Sequence, residues 1–175
     1  MEFPKFTVCV RCITFNQAKF IENAMNGFTM QQTDFPFVCC IVDDASTDGE
    51  QQVIKNYLNR YFVFTDSSVF SSQSTDYASI IFAQHKENSN CYFAVLFLKE
   101  NLYSKNMGYK KMEYISVWRD KCKYEAICEG DDYWIDPLKL QKQVVILENN
   151  SKVGLVYTSA KQYNEKLKKY SSSII

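Results

Sequence analysis

The chain has 175 residues, with 20 Lys plus Arg against 20 Asp plus Glu, one histidine, and 46% hydrophobic and 15% aromatic residues. That length suits one domain with a packed core. The balanced charge lacks the basic footprint of a nucleic-acid binder, so no nucleic-acid partner is expected.

No apolar run approaches the roughly 20 residues that a membrane span needs. The opening MEFPKFTVCVRC lacks the basic-then-apolar order of a secretory leader. A cytoplasmic setting is the resulting expectation.

Phe6 to Ile13, FTVCVRCI, is a near-continuous apolar run of β-formers. Such runs suit a strand covered on both faces, as in a parallel sheet. Arg11 interrupts it and calls for a sheet edge or a polar partner. TFNQ follows, and Asn16 is the expected N-cap of a helix whose face carries Phe20, Ala24 and Phe28. Phe37 to Asp44, FVCCIVDD, reads as a second buried strand ending in acids. After the loop ASTDG, EQQVIKNYLNRY puts Val53, Ile54, Tyr57, Leu58 and Tyr61 on one helical stripe. Strand, helix, strand, helix implies βαβ units and a parallel sheet.

The segment from about 62 to 90 breaks this rhythm. Its part Thr65 to Ser79 is rich in Ser, Thr and Asp and reads as a long loop or insertion, with a short helix leading into YASIIFAQHKEN. Loops of that length are usually functional or mobile; a surface insertion, an acceptor-side lid and a docking surface all stay open. Cys91 to Leu98 is the next strand. YKKMEYISVWRDKC follows as a helix with Met112, Ile115, Trp118 and Cys122 on one side, and KYEAICE as a short strand. Asp136 as N-cap and Pro137 at the first helical position start another helix. Val153 to Thr158, VGLVYT, reads as a fifth strand, and the remainder is weakly patterned, with EKLKKY a solvated helix end.

Seven cysteines include Cys9 and Cys12 in a C-x-x-C and the adjacent pair Cys39 and Cys40. A zinc site needs converging thiolates. Strand side chains alternate faces, so each pair sends its sulfurs to opposite sides. Reduced cysteines acting as small buried hydrophobes fit better, and an odd count does not complete a disulfide framework. A cysteine-based metal or redox protein is the weaker alternative.

In open parallel sheets, ligands bind outside the carboxyl ends of the strands. One such mouth collects ITFN, DDAST and EGDD, and with them Asp43, Asp44, Glu129, Asp131 and Asp132. Close carboxylates raise one another's pKa unless a cation intervenes. A hard ion, Mg²⁺ or Mn²⁺, prefers such oxygens and shares its shell with substrate phosphates. No G-x-G-x-x-G, P-loop or G-x-S-x-G element occurs. His85 reads as structural or solvated rather than catalytic. Asp43 and Asp44 could instead simply favour the next helix N-terminus. Tyr133 and Trp134 read as packing residues more readily than as sugar platforms.

VCVRCITFNQAKFIENAM, FVCCIVDDASTDG and EGDDYWIDPLKLQKQVVILENN together resemble the family 2 glycosyltransferases. The resemblance runs from Phe6 to about Thr158, interrupted at about 62–90. It implies a three-layer α/β/α sandwich with a mostly parallel central sheet, the GT-A, Rossmann-like fold of nucleotide-diphospho-sugar transferases. It implies one domain over residues 1–175 that lacks the acceptor-binding half. Thr14, Phe15 and Asn16 would line the nucleoside pocket, with Phe15 against the base, and Asp44 would accept a hydrogen bond from the base. Glu129 and Asp131 would bind the nucleotide sugar, and Asp131 and Asp132 would hold Mn²⁺ or Mg²⁺ at the diphosphate. Asn101 and Lys105 would face the sugar diphosphate. The activity implied is inverting transfer from a nucleotide diphosphate sugar, a UDP-sugar foremost, to a saccharide or lipid-linked acceptor, in surface polysaccharide or glycoconjugate synthesis. Peripheral association with the inner face of the membrane is compatible with that role. Inversion requires a carboxylate base, which the family places downstream of the D-x-D element; none matches before Ile175. A nucleotide-sugar-binding or interaction module without transfer is the alternative.

Overall fold

The computed structural model describes residues 4–63 and 72–174. β1 (Val8–Thr14), α1 (Ile21–Thr29), β2 (Phe37–Asp43) and α2 (Glu50–Tyr61) follow the expected alternation. Then come β3 (Phe62–Val63), β4 (Ser72–Ser74), β5 (Ala78–His85) and β6 (Cys91–Leu98). α3 (Lys110–Arg119), β7 (Tyr124–Ile127), α4 (Lys139–Asn149), β8 (Lys161–Asn164) and β9 (Lys169–Ile174) complete the chain.

The main sheet runs β3-β5-β6-β2-β1-β7, with β4 also paired to β5. β6, β2, β1 and β7 are mutually parallel. Every residue of β2 and β6 is buried, so both faces of the sheet need cover, and each large side chain so buried contributes about 1.5–3 kcal/mol. On one face Val38, Cys40, Val42, Ala94 and Leu96 form a core with Ile115 and Trp118 of α3. On the other, Phe93 meets the Phe28 ring of α1 at 6.3 Å, and α1 packs on α2. Helices on both faces of a mostly parallel sheet make the expected three layers.

Residues 78–85 are not helical. They form β5, antiparallel to β6 from Ala78 opposite Leu98 to Gln84 opposite Tyr92. Alternate side chains Ala78, Ile80 and Phe82 point into the core, so the period is two rather than 3.6. The segment that breaks the βαβ rhythm therefore widens the sheet; residues 64–71 of it lie outside the described residues. Asn16 is not the cap of α1 either, since Phe20 holds the N-cap position and makes no side-chain cap hydrogen bond. Asp136 does act as expected: its Oδ1 accepts the Leu138 N–H at 2.9 Å ahead of α4.

The cysteine reading holds among the described residues. Cys9 and Cys40 lie on the α3 face with their sulfurs 3.6 Å apart. All seven are free, and six are buried. No three His, Cys, Asp or Glu groups among the described residues stand together as a preformed metal cage. No helix among them is long and apolar enough to cross a membrane.

The chain divides into two compact units, 1–141 and 142–175. The second differs from expectation. Residues 153–158 are not a strand, and Leu155 and Tyr157 are 79% and 83% exposed. β8 and β9 instead make a two-stranded antiparallel ribbon, with Tyr163 against Tyr170 at 5.0 Å. EKLKKY is its turn and the start of β9, not a helix end.

Candidate functional site

β1, β2 and β7 run parallel, so their carboxyl ends deliver three loops to one edge of the sheet. Thr14 closes β1 and is buried. Its hydroxyl donates to Glu50 Oε1 and lies 2.8 Å from the Gln17 side-chain amide. Glu50, at the first turn of α2, is itself fully buried. Its Oε2 accepts the Gln17 N–H at 2.9 Å and the Ser46 hydroxyl at 2.8 Å. One carboxylate thus joins the loop after β1 to the loop after β2. Asp48 adds a second tie, accepting the Ala18 N–H at 2.9 Å.

Asn16 adopts a left-handed backbone, φ 54°, which Asn tolerates better than most residues. Its Oδ1 accepts the Thr47 N–H at 2.8 Å, and its own N–H donates to Ser46 Oγ at 2.9 Å. It therefore stitches the same two loops. Phe15 between them is 44% exposed and offers a free ring at the mouth.

The third loop is pressed onto the first. A Cβ on Gly130 would sit 2.2 Å from Thr14 Oγ1 and 2.5 Å from Gln17 Oε1. Only glycine lets the chain approach that closely. Gly130 N–H also donates to the Ile13 carbonyl at 3.2 Å, and Asp132 N–H turns back to the Glu129 carbonyl at 3.1 Å. Asp131 and Asp132 are left exposed beside the end of β1. Behind them, the Trp134 ring meets Phe28 edge-on at 5.2 Å. The Trp134 backbone lies 2.8 Å from where a Gly27 Cβ would be. Trp134 is a packing residue, while Tyr133 remains 42% exposed.

The acids differ in setting. Burial raises the pKa of Asp43, opposed by hydrogen bonds from Ser46 and Gln51. Burial also raises Glu129, opposed chiefly by Arg11, whose guanidinium lies 3.9 Å away. Asp132 is exposed as a residue, but partial desolvation of its carboxyl, and then Asp131, raise its pKa. Arg11 has its polar partner on the edge strand β7, with Nε 3.0 Å from Glu125.

Asp44 is placed differently from the sequence expectation. It is fully buried. Its carboxylate accepts the Leu102 N–H at 2.8 Å, the Tyr103 N–H at 3.1 Å and the Lys111 ammonium at 2.5 Å. A nucleoside base reaches it only if the turn after β6 moves. Asn101 likewise spends its side chain on that turn, donating to the Asp44 carbonyl at 3.0 Å and accepting Ser104 N–H at 2.7 Å. Lys105 pairs with Glu100 at 2.5 Å and remains exposed. His85 lies at the opposite end of the sheet, where its Nδ1 accepts the Asn88 N–H at 3.0 Å and burial lowers its pKa.

Glu50, Gly130 and Lys111 were not singled out by sequence. Lys111 had a signal, since Lys111, Ile115 and Trp118 share one buried stripe of α3. Glu50 and Gly130 act through contacts across loops, which spacing does not reveal.

A mostly parallel sheet with helices on both faces and polar loops gathered at its carboxyl edge defines a three-layer α/β domain. Solved structures agree. The crystal structure of S. aureus TarS 1-349 superposes with a TM-score of 0.54 at 21% identity, over 83% of this chain and 33% of that one. The TarS 1-349 complex with UDP-GlcNAc gives 0.54 at 20% identity, over 83% and 32%. Residues 9–70 match the family model described as glycosyl transferase family 2. Two mycobacterial proteins, described as uncharacterized, are 31% identical over 145 residues: Mb1547 of Mycobacterium bovis and Rv1520 of Mycobacterium tuberculosis. The match covers 83% of this chain and 32% of theirs, so the chain spans about a third of the length of these curated relatives.

Proposed function

We propose that this chain is the donor-binding portion of an inverting glycosyltransferase that takes its sugar from a nucleotide diphosphate, UDP foremost. The observation that carries the reading is the seating of Gly130 on Thr14. It sets two exposed carboxylates, Asp131 and Asp132, against the loop that presents Phe15. A base can lie against the Phe15 ring, and the acids then face the diphosphate side of the ligand.

The donor set fits a hard divalent ion. Asp131 and Asp132 are solvent-facing oxygen donors, and Mg²⁺ commonly takes one or two carboxylates and fills its shell with phosphate oxygens and water. Mn²⁺ or Mg²⁺ held there would offset charge on the leaving diphosphate. The remaining work belongs to the chain: Glu50 and Asn16 fix the loops, Gly130 sets the height of the acids, and Asp44 anchors the turn after β6. The match of residues 9–70 to the family 2 model, and the UDP-GlcNAc complex of the structurally similar TarS, favour a nucleotide-sugar donor. The acceptor, saccharide or lipid-linked, is part of the proposal, as is a carboxylate base outside residues 1–175.

Calorimetry with UDP-, GDP- and dTDP-sugars in the presence of Mn²⁺ tests it. Heat with one nucleotide class is expected, and loss of that heat in Asp131→Asn. Absence of heat across the panel, or undiminished binding by Asp131→Asn, sinks the reading.

A further inference from the structure

A second cavity lies along the same sheet edge, beyond the strands that carry the candidate donor loops. It is an open cleft of about 370 Å³ between the start of β5, the end of β6 and the first half of α3. That is within the roughly 300–1,000 Å³ typical of small-molecule sites. Leu98 and Leu102 contribute apolar lining, Tyr77 and Tyr114 aromatic lining, and Asp76 and Glu100 carboxylates. The two tyrosines lie ring on ring, centroids 3.8 Å apart and 14° from parallel, so they act as one rigid aromatic wall. The turn below them is fixed twice: Lys99 N–H donates to the Tyr77 carbonyl at 2.9 Å, and the Lys99 ammonium is taken up by the Thr75 carbonyl at 2.5 Å.

The chemistry of this lining is selective. The rim carries the Asp76 and Glu100 carboxylates, the latter paired with Lys105 at 2.5 Å, beside the Lys99 ammonium that donates to the Thr75 carbonyl, so opposite charges nearly balance there. The cavity's aromatic and aliphatic walls suit a ligand with an apolar face, and its carboxylates accept hydrogen bonds from hydroxyl donors. A neutral pyranose has both: C–H bonds on one face and hydroxyls around the rim. The cavity lies on the same carboxyl edge as the donor loops, since Leu98 ends β6 beside the end of β2, where Phe97 pairs with Asp43.

We propose that this cavity is a saccharide subsite that seats a glycosyl unit of the acceptor. It draws on the segment that widens the sheet, through Asp76 and Tyr77. The proposal rests on the glycosyltransferase reading for the role of the sugar, and on the cavity alone for its binding.

The test is tyrosine-labelled NMR of the full chain, titrated with free neutral mono- and disaccharides and, separately, with a cationic amine and a nucleotide sugar plus Mn²⁺. Saccharides are expected to shift Tyr77 and Tyr114 and to leave Tyr103, 79% exposed outside the cavity, unmoved. Asp76→Asn, at an exposed position, and Tyr77→Leu should each weaken saccharide binding about tenfold. Nucleotide-sugar heat should stay unchanged in Asp76→Asn. Saccharide shifts that persist undiminished in both variants overturn the subsite. So does a chain that binds a nucleotide sugar but shows no saccharide shift at these tyrosines, or shows one only with the amine. In those cases the donor reading stands. Saccharide shifts without any nucleotide-sugar heat leave the subsite in place and remove the donor reading instead.

Discussion

Gly130 and Asp43 show how single residues shape the mouth. A methyl group at Gly130 meets Thr14 Oγ1 and Cβ at 2.2 and 2.6 Å, and Thr14 is a stiff β-branched residue at the end of a buried strand. Gly130→Ala should therefore lift the acidic loop, lowering the unfolding midpoint and weakening Mn²⁺-dependent nucleotide-sugar binding more than tenfold; unchanged binding by calorimetry contradicts this. Asp43 makes a different prediction. Its folded pKa is raised above the ordinary 3.8 by burial, so the folded chain holds that proton more tightly than the unfolded one. The stability this contributes is present below the ordinary value and is lost as pH rises through the raised one. Relative to Asp43→Asn, the wild type should lose stability on going from about pH 4 toward neutrality, read as denaturant midpoints across the range. The acids themselves were legible in DD and EGDD. Which of them faces solvent was not, because Asp44 is claimed by Leu102, Tyr103 and Lys111, partners about 60 residues away in sequence.

At the scale of elements, the Asp44–Lys111 pair fastens α3 and the turn after β6 to the end of β2. Both side chains are nearly inaccessible, at 0% and 6%. Breaking a buried pair on one side leaves an uncompensated charge and costs about 3–5 kcal/mol. Lys111→Met should show that loss in chemical denaturation, and Asp44→Asn in the same chain should recover part of it; additive losses would argue against the coupling. The parallel strands were readable because each is a continuous apolar run between polar loops. β5 was not, since its outward positions and its Ser/Thr/Asp-rich approach hide a period of two. VGLVYT misled in the other direction: an apolar run has β propensity, but a strand needs a neighbour to pair with, and residues 153–158 pair with none. Glu50 was read only as the start of a helix stripe, and its three loop contacts are not encoded in local pattern.

For the molecule as a whole, a ligand that binds only the folded state stabilises it by about 2.7 kcal/mol at 100-fold excess over Kd. For a chain of this size, that corresponds to a rise of roughly 5–10 °C in Tm. UDP-sugar with Mn²⁺ should produce such a rise in scanning calorimetry, and Asp131→Asn should lose it; equal shifts in both would move the site elsewhere. The mostly parallel sheet was legible because apolar runs alternate with helical stripes over β1, α1, β2 and α2. The two-unit division was not, since no Pro- or Gly-rich linker marks residues 141–142. The sulfur chemistry of the core has a practical corollary. Burial keeps the thiols of Cys12 and Cys39 well above their ordinary pKa and holds Cys128 at about 12, so these three present almost no thiolate to an alkylating reagent in the folded chain. Modification at these three must then wait for the sheet to open, and iodoacetamide uptake there, followed by peptide mass apart from the half-exposed Cys122, becomes a clock for that opening without any added label.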